Sequence, residues 1–180
     1  MINAAVVTIS DTCYEKSRID ASGPAVRERL EQMGWAVLAT EVLPDEAPLI
    51  ADRLRALADG GKVSAIFTTG GTGISRRDVT PEAVRAVIEK EIPGFGETMR
   101  AKGLQHTALA PLSRSMAGTR GSTLIVALPG SPKGATESLN AIVDLVPHVL
   151  ELLRGQTAHE SAGLSAGRSE EHTSELQSLV

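Results

Sequence analysis

The sequence has little cysteine and few aromatic residues. Its 180 residues include one cysteine, one tryptophan, one tyrosine and two phenylalanines. A single cysteine excludes an internal disulfide, and no group of Cys and His residues has the spacing of a zinc site, so we expect a cytoplasmic protein. Its hydrophobic residues are almost all Ala, Val, Leu and Ile. An aliphatic core of this kind is typical of helices packed on a parallel sheet.

The chain also lacks a long apolar run, a basic leader and an excess of positive charge. No segment approaches the roughly 20 apolar residues of a membrane span, and no basic region precedes the first apolar stretch, so we expect neither membrane insertion nor secretion. The formal net charge is −4. A nucleic acid partner would call for a basic face, so we expect no nucleic acid binding. Any anionic ligand must then be held by a few local groups.

The length favours one domain followed by a tail. Hydrophobic patterning stops after Leu153, so we predict a single domain over residues 1–155 and a disordered tail over residues 156–180. Within that tail, residues 168–178 (RSEEHTSELQS) resemble the in-frame translation of a widely used sequencing-library adapter. We therefore interpret part of the tail as a sequencing artefact.

Strand-like and helix-like segments alternate along the chain. Apolar runs predict strands at residues 4–10, 35–43, 63–67 and 122–128. Helical spacing predicts helices at residues 24–33, between Glu46 and Gly60, from Pro81 onward, at 96–102 and at 132–153. Pro93-Gly94 predicts a break with a tight turn around Phe95, and residues 106–121 are ambiguous. This order predicts an α/β fold, a mostly parallel sheet with helices on both faces, whose ligands bind at the carboxyl ends of the strands.

Residues 68–83, TTGGTGISRRDVTPEA, carry the strongest ligand signal. Their three glycines permit positive φ and let backbone N–H groups converge on an anion. Thr80 is the predicted N-cap of the next helix, and Pro81 fits its first position. The simpler alternative is a tight strand-to-helix turn without a ligand.

Six motifs follow one another between residues 4 and 153: TISD, LPDE, TTGGTGISRRDVTPEA, PGFGE, SRSMAGTRG and LPGSPKG. In this order they resemble the Mog/MoaB family of molybdenum-cofactor biosynthesis proteins, the domain that forms one end of gephyrin, whereas GGTG alone would be a weak signal. The resemblance implies a Rossmann-like three-layer domain that binds molybdopterin, commonly forms homotrimers and works with other molybdenum-cofactor biosynthesis proteins. In the catalytic branch it implies transfer of AMP from Mg-ATP to the terminal phosphate of molybdopterin, with release of pyrophosphate.

The motifs supply the candidate site residues. The resemblance implies that Asp78 and Asp45 are catalytic and bind Mg²⁺, an ion that prefers hard oxygen ligands. The candidates for binding the pterin and its phosphate are Thr69, Gly70, Gly71, Thr72, Gly73, Ser113 and Arg114. The candidates for binding the nucleotide are Ser10, Asp11, Pro129, Gly130, Ser131 and Lys133.

Most of these candidates have a simpler interpretation. Asp45 stands just before a helix and is alternatively its N-cap. Asp78 is alternatively a solvated turn residue, and Arg114 a surface ion pair worth little. Ser10-Asp11 is alternatively an Asx-type turn, and Ser131 only the cap of the last helix.

The basic pair Arg76-Arg77 either steers polyanions or is simply solvated. Cys13 belongs to no motif and is interpreted as inert.

Three functions compete. The first is a molybdopterin adenylyltransferase. The second is a non-catalytic pterin-binding or scaffold protein of the MoaB kind, and the third is another nucleotide-binding α/β domain that reuses the glycine loop. Asp45 and Asp78 together favour the enzyme, because the silent relatives lack these acidic residues.

Overall fold

A computed structural model describes residues 1–155 of the chain, so the predicted tail and its adapter-like segment 168–178 lie outside the described residues. Six strands form one sheet: β1 Asn3–Ile9, β2 Ala36–Leu43, β3 Ala65–Thr69, β4 Lys90–Glu91, β5 Met116–Arg120 and β6 Thr123–Leu128. Their order across the sheet is β2-β1-β3-β6-β5-β4. β1, β2, β3 and β6 are parallel, and β5 and β4 extend the sheet in antiparallel pairs. The predicted mostly parallel sheet is confirmed.

The described residues also form seven α-helices: α1 Asp11–Tyr14, α2 Ser22–Gln32, α3 Ala47–Asp59, α4 Thr80–Arg85, α5 Pro93–Gly103, α6 Pro132–Ile142 and α7 Val146–Leu153. Short 3-10 helices occupy Ala110–Leu112 and Val143–Leu145. Within residues 1–155, no helix combines the length and the apolar character needed to cross a bilayer.

Helices cover both faces of the sheet, and successive residues of β3 show this directly. Phe67 faces the core layer formed with α2, α5, α6 and α7, whereas Ile66 faces the layer formed with α3 and α4. Both side chains are fully buried, as expected for a strand whose side chains alternate between two covered faces. The ring of Trp35 packs against Phe67, with centroids 6.1 Å apart. The predicted three-layer α/β domain is therefore observed.

The predicted break at Pro93-Gly94 is wrong. α5 begins at Pro93, which is accepted in a first helical turn, where its missing N–H needs no partner. Phe95 is 4% exposed and packs in the core with Met99, four residues later on the same helix face. It is therefore a core residue, and neither shapes a turn nor offers an exposed surface.

Two other boundaries also differ from the sequence prediction. The helix predicted over residues 132–153 is interrupted by the 3-10 turn Val143–Leu145, because Pro147 at the start of α7 cannot donate a backbone hydrogen bond to the preceding turn. β3 lies two residues later than predicted and ends at Thr69, since Thr68 and Thr69 pair with Ala127 and Leu128 of β6. The ambiguous segment 106–121 contains β5.

Thr68→Val is expected to stabilise the fold by about 1 kcal/mol. Thr68 is fully buried, and its Oγ1 has no hydrogen-bond partner among the described residues, so valine removes an unsatisfied hydroxyl while keeping the shape. The matched control is Thr123→Val in β6, where Oγ1 donates to the carbonyl of Val63 at 3.0 Å. This control is expected to lose about 1 kcal/mol, and urea unfolding of both variants measures the two shifts. Equal destabilisation of both variants would contradict the prediction.

Candidate functional site

The loops after β1, β2, β3 and β6 meet at the carboxyl edge of the sheet around a cavity of about 350 Å³, the first cavity. The sheet order reverses between β1 and β3, which is where doubly wound sheets open a crevice for ligands. Eight predicted site residues line this cavity: Ser10, Asp45, Thr69, Gly70, Gly71, Asp78, Gly130 and Ser131.

Two more cavities are lined by predicted site residues. The second cavity, about 280 Å³, lies between α5 and α6 and is lined by Ser113, Pro129 and Ser131 among others. Because Ser131 lines both, the first and second cavities are neighbours. The third cavity, about 320 Å³, is lined by Ser113 and Arg114. Four predicted site residues line none of the three: Asp11, Thr72, Gly73 and Lys133.

The glycine turn, residues 70–78, starts with two glycines in the left-handed region. Gly70 has φ +104° and Gly71 has φ +66°, as the sequence predicts, but Gly73 does not have a positive φ. A Cβ on Gly70 would lie 2.2 Å from the carbonyl oxygen of Ile9. The N–H of Gly70 donates to Leu128 in β6, so this amide is used by the sheet and does not face an anion.

Thr80 does not cap α4, contrary to the prediction. The residue before the helix is Val79, and the hydroxyl of Thr80 donates instead to the carbonyl of Gly70 at 2.8 Å. The backbone N–H of Thr80 donates to the carbonyl of Gly71 at 3.1 Å. Thr80 therefore closes the glycine turn onto its own first residues.

Ser10 and Ser131 each cap a helix. Ser10 Oγ accepts a hydrogen bond from the N–H of Cys13 and caps α1, which is not the Asx-type turn considered for Ser10-Asp11, and Ser131 Oγ accepts one from the N–H of Gly134. The predicted cap at Ser131 is thus confirmed, and the residue also lines the first cavity. The side chain of Lys133 is 80% exposed and lies 3.7 Å from Glu137, and it does not line the first cavity.

Asp45 and Asp11 hold each other across two loops. The N–H of Asp11 donates to Oδ2 of Asp45, and the N–H of Asp45 donates to Oδ1 of Asp11, both at 2.9 Å. The N-cap alternative for Asp45 is wrong, because Glu46 is the residue before α3 and makes no capping bond. Burial raises the pKa of Asp45, and the neighbouring carboxylates of Asp11 and Asp78 raise it further.

Arg77 pairs with Asp11 rather than standing free. Its Nε and Nη2 each donate to Asp11 at 3.0 Å, and Nη2 also donates to Glu46 at 3.0 Å. The hydrogen bond from Arg77 lowers the pKa of the Asp11 carboxyl group. Arg77 is therefore ion-paired although its side chain is 56% exposed, and Arg76 is exposed as well. Steering of polyanions by this basic pair stays a prediction.

Asp78 belongs to the glycine turn and faces the first cavity. Its Oδ2 accepts a hydrogen bond from the N–H of Ser75 at 2.9 Å. Within residues 1–155, Oδ1 of Asp78 and Oδ1 of Asp45 accept no hydrogen bond, and both residues line the same cavity. The part of the chain that the structure describes has no cluster of three or more His, Cys, Asp or Glu residues able to hold a metal ion. Any metal site here would depend on these two aspartates.

Arg114 is more than a surface ion pair. Its guanidinium group donates to the carbonyls of Gly73 and Asp78, at 2.8 and 2.7 Å, and to the carboxylate of Glu82. The adjacent Ser113 hydroxyl lies 2.8 Å from that of Ser115. Arg114 thus links the start of β5 to the glycine turn and to α4.

Sequence reasoning missed several residues that line the first cavity, among them Asp20, Arg18 and Cys13. Asp20 accepts hydrogen bonds from the hydroxyl of Thr8 at 2.6 Å and from the N–H of Gly23 at 3.1 Å, which fixes the start of α2. An aspartate three residues before Gly23 is a capping signal that could have identified it. Arg18 is the one basic residue among the described residues that line this cavity, and Cys13 lines it too. No sequence motif marks either of them.

The known proteins that this chain resembles are named for molybdopterin or for molybdenum-cofactor synthesis. Residues 5–148 match the family described as "Probable molybdopterin binding domain". The chain is 38% identical to a molybdopterin adenylyltransferase of Helicobacter pylori, over 86% of this chain and 89% of that protein. It is 40% identical to the molybdenum cofactor synthesis protein cinnamon of Drosophila melanogaster, over 84% of this chain but only 26% of that longer protein. The structure of the molybdopterin biosynthesis enzyme MoaB of Thermus thermophilus superposes with a TM-score of 0.81 at 46% identity, covering 86% of this chain and 98% of that one.

Asp45→Asn and Asp11→Asn are expected to change stability in opposite directions. The folded-state pKa of Asp45 is raised, so the fold is more stable when this carboxyl group is protonated, and that stability is lost as the pH rises through the raised pKa. Asparagine stays uncharged, so Asp45→Asn stabilises the fold more at about pH 7 than at about pH 4. Because the pKa of Asp11 is lowered, its ionised form adds stability above its unfolded pKa, and this is lost as the pH falls through its folded pKa. Asp11→Asn therefore destabilises the fold, most at neutral pH.

Urea unfolding of the parent chain and both variants across this pH range measures the two effects. A less stable Asp45→Asn at neutral pH would contradict the burial and repulsion assigned to this carboxylate.

Proposed function

Since the chain belongs to the molybdopterin-binding domain family, we propose that it is a molybdopterin adenylyltransferase of molybdenum-cofactor biosynthesis. It transfers AMP from ATP to the terminal phosphate of molybdopterin and releases pyrophosphate. The curated relatives that match most of this chain, at 36–38% identity, carry this activity as their name. The observation that carries the proposal is the pair of aspartates, Asp45 and Asp78, in the cavity at the carboxyl edge of the sheet.

The reaction needs positioning more than proton transfer. The terminal phosphate of molybdopterin is a monoester, and a second pKa of about 6 leaves it mostly dianionic at neutral pH. One of its oxygens forms a bond to the α-phosphorus of ATP, the bond from that phosphorus to the β-phosphate oxygen breaks, and pyrophosphate leaves with the electron pair. No protein base has to remove a proton. The chain must bring two polyanions together and align them.

We propose that Asp45 and Asp78 hold Mg²⁺ in the first cavity. When bound, Mg²⁺ offsets the negative charge of the phosphates. Three features of the residues fit this ion: both carboxylates line one cavity, each has an oxygen without a hydrogen bond from the described residues, and burial, with repulsion from Asp11 and Asp78 added to it, raises the pKa of Asp45. Mg²⁺ usually keeps several waters and needs only one or two protein carboxylates.

We assign the two ligands to the two neighbouring cavities. The pterin occupies the second cavity beside Ser113, and its phosphate reaches the start of the glycine turn at Thr69 and Gly71, with Gly70 lining the cavity but not donating its N–H. The nucleotide occupies the first cavity, next to Ser10, Gly130 and Ser131, with Pro129 at the boundary. Arg18 supplies a positive charge there that the sequence motifs do not predict. The shared lining residue Ser131 supports a path between the two cavities.

The remaining candidate residues do not line the first or the second cavity. Asp11 holds Asp45 through the pair of 2.9 Å hydrogen bonds, so we propose that it orients that carboxylate and does not contact the nucleotide. The carbonyl of Thr72 accepts the backbone N–H of Arg114, and Lys133 is left as an exposed charge at the start of α6. A homotrimer, a cytoplasmic location and binding to other cofactor-biosynthesis proteins stay predictions from the family likeness.

Asp78→Asn is expected to lower the rate of pyrophosphate release by at least about 100-fold, because it removes the charge that faces the transferred phosphates. The assay contains ATP, Mg²⁺ and molybdopterin, with a parallel reaction that omits the pterin. Asp144→Asn is the matched control, since Asp144 is exposed in the 3-10 turn after α6, at the far end of that helix from Ser131. It is expected to keep the parent rate.

A parent rate in Asp78→Asn would show that this carboxylate has no part in the reaction. A parent chain that binds molybdopterin but releases no pyrophosphate would instead identify the non-catalytic pterin-binding protein. Binding of ATP without affinity for the pterin would identify the third alternative.

Gly73→Ala is expected to slow the reaction by about 10-fold or more while leaving the fold intact. A Cβ at this position would lie 2.7 Å from Oδ2 of Asp78, so the carboxylate must move, yet the backbone φ of Gly73 is one that alanine adopts. Gly94→Ala in α5 is the control, because a Cβ there meets nothing within 4 Å. Pyrophosphate release and melting temperature are compared for both variants. Equal rates in Gly73→Ala and Gly94→Ala would show that the reaction does not need the space that Gly73 leaves for the Asp78 carboxylate.

A further inference from the structure

The guanidinium group of Arg114 is in contact with both ends of the segment that carries Asp78. Nε donates to the carbonyl of Gly73 at 2.8 Å, and Nη2 donates to the carbonyl of Asp78 at 2.7 Å. Nη1 donates to the carboxylate of Glu82, in the first turn of α4. The backbone N–H of Arg114 also donates to the carbonyl of Thr72 at 2.8 Å. One residue therefore bonds both to the glycine turn and to the helix that follows it.

The contacts of Arg114 tie Asp78 to the rest of the fold, because the other hydrogen bonds of Asp78 are made within the glycine turn itself. Its N–H donates to the carbonyl of Ser75 at 3.0 Å, and its Oδ2 accepts from the N–H of Ser75 at 2.9 Å. Such bonds shape the turn but do not set its position relative to the sheet. Arg77 anchors the turn to the loop after β1, through a side chain that is 56% exposed. Arg114 anchors it to β5 through a side chain that is 32% exposed.

Arg114 does not line the first cavity, where we place the reaction. It lines the third cavity, whereas Asp45 and Asp78 line the first, and the second is lined by Ser113 but not by Arg114. Three of its N–H groups already donate to protein acceptors. Its planar fork suits this use, since a guanidinium group can hold several acceptors in fixed directions at once.

We propose that Arg114 is a positioning residue for Asp78 and does not bind the pterin. It holds the two ends of the Gly73 to Asp78 segment so that the carboxylate stays in the first cavity. The proposal rests on the proposed function, because it assumes that Asp78 takes part in the transfer of AMP.

Arg114→Ala is expected to lower kcat by about 10- to 100-fold, because a misplaced catalytic group costs rate even when the ligands still bind. The KM for molybdopterin is expected to stay within about 2-fold of the parent value, since no binding contact is removed. Steady-state pyrophosphate release at varied molybdopterin measures both constants. A raised KM with an unchanged kcat would make Arg114 a ligand contact and overturn the proposal.

A double-mutant cycle with Asp78→Asn tests whether Arg114 acts through that carboxylate. If it does, Arg114→Ala reduces the rate of the Asp78→Asn enzyme by no more than about 3-fold, since the group that it positions is already gone. Independent losses that multiply in the double variant would contradict the proposal.

The contacts of the Arg114 guanidinium group with Gly73, Asp78 and Glu82 are called the clamp below. Two further variants test whether the effect of Arg114→Ala comes from losing the clamp rather than from losing a positive charge or stability. Arg114→Lys keeps the charge but lacks the fork, so its kcat is expected to fall between those of the parent and Arg114→Ala, and full recovery would contradict the clamp. Arg120→Ala is the matched control, because Arg120 has a similar exposure of 26%, pairs with Asp59 and donates to the carbonyl of Val87. It is expected to keep the parent kcat and KM.

Amide hydrogen exchange of residues 72–78 tests the clamp without turnover. Exchange at Ser75 and Asp78 is expected to be at least about 10-fold faster in Arg114→Ala and unchanged in Arg120→Ala. If the parent chain released no pyrophosphate, the proposed function would fail, yet faster exchange would still identify the clamp. Unchanged exchange in Arg114→Ala would contradict the clamp whatever the activity of the chain.

Discussion

The end of β1, the glycine turn and the loop after β6 meet at Gly70 with no space between their backbones for a side chain. A Cβ there would lie 2.2 Å from the carbonyl of Ile9, and a Cβ on Gly130 would lie 3.2 Å from the Cα of Gly70. The order of the sheet sets up this contact, because β3 lies between β1 and β6 and all three end at the same edge. The glycine turn can therefore start directly on the sheet. Asp78 lies at the other end of the same turn and lines the first cavity.

The two aspartates that hold the loops beside the first cavity differ in their charge environment, because only one of them pairs with a cation within residues 1–155. Asp11 is neutralised by Arg77 and keeps the loops after β1 and β2 together. Asp45, held by Asp11 but without a cation of its own among the described residues, carries a raised pKa. Sites of this kind commonly sacrifice some stability for function. A bound cation would lie where the fold leaves negative charge uncompensated.

The sequence predicts best what depends on neighbouring residues. The positive φ of Gly70 and Gly71 and the cap at Ser131 follow from local chemistry, and the structure has them. The alternation of strands and helices also follows from hydrophobic period, although boundaries move where long-range pairing or Pro147 intervenes. The side-chain partners of Asp11 and Arg114 are 32 to 66 residues away along the chain, so no local pattern could reveal them. Thr80 shows the same limit, since its hydroxyl bonds to the glycine turn rather than to its own helix.

Trp35 gives this fold a built-in optical reporter. It is the only tryptophan of the chain, is 8% exposed, and packs on Phe67 two residues before the end of β3. Its emission therefore comes from one place in the core layer formed with α2, α5, α6 and α7. A red shift on denaturation reports loss of the packing on that face of the sheet, and no label or added chromophore is needed to follow it.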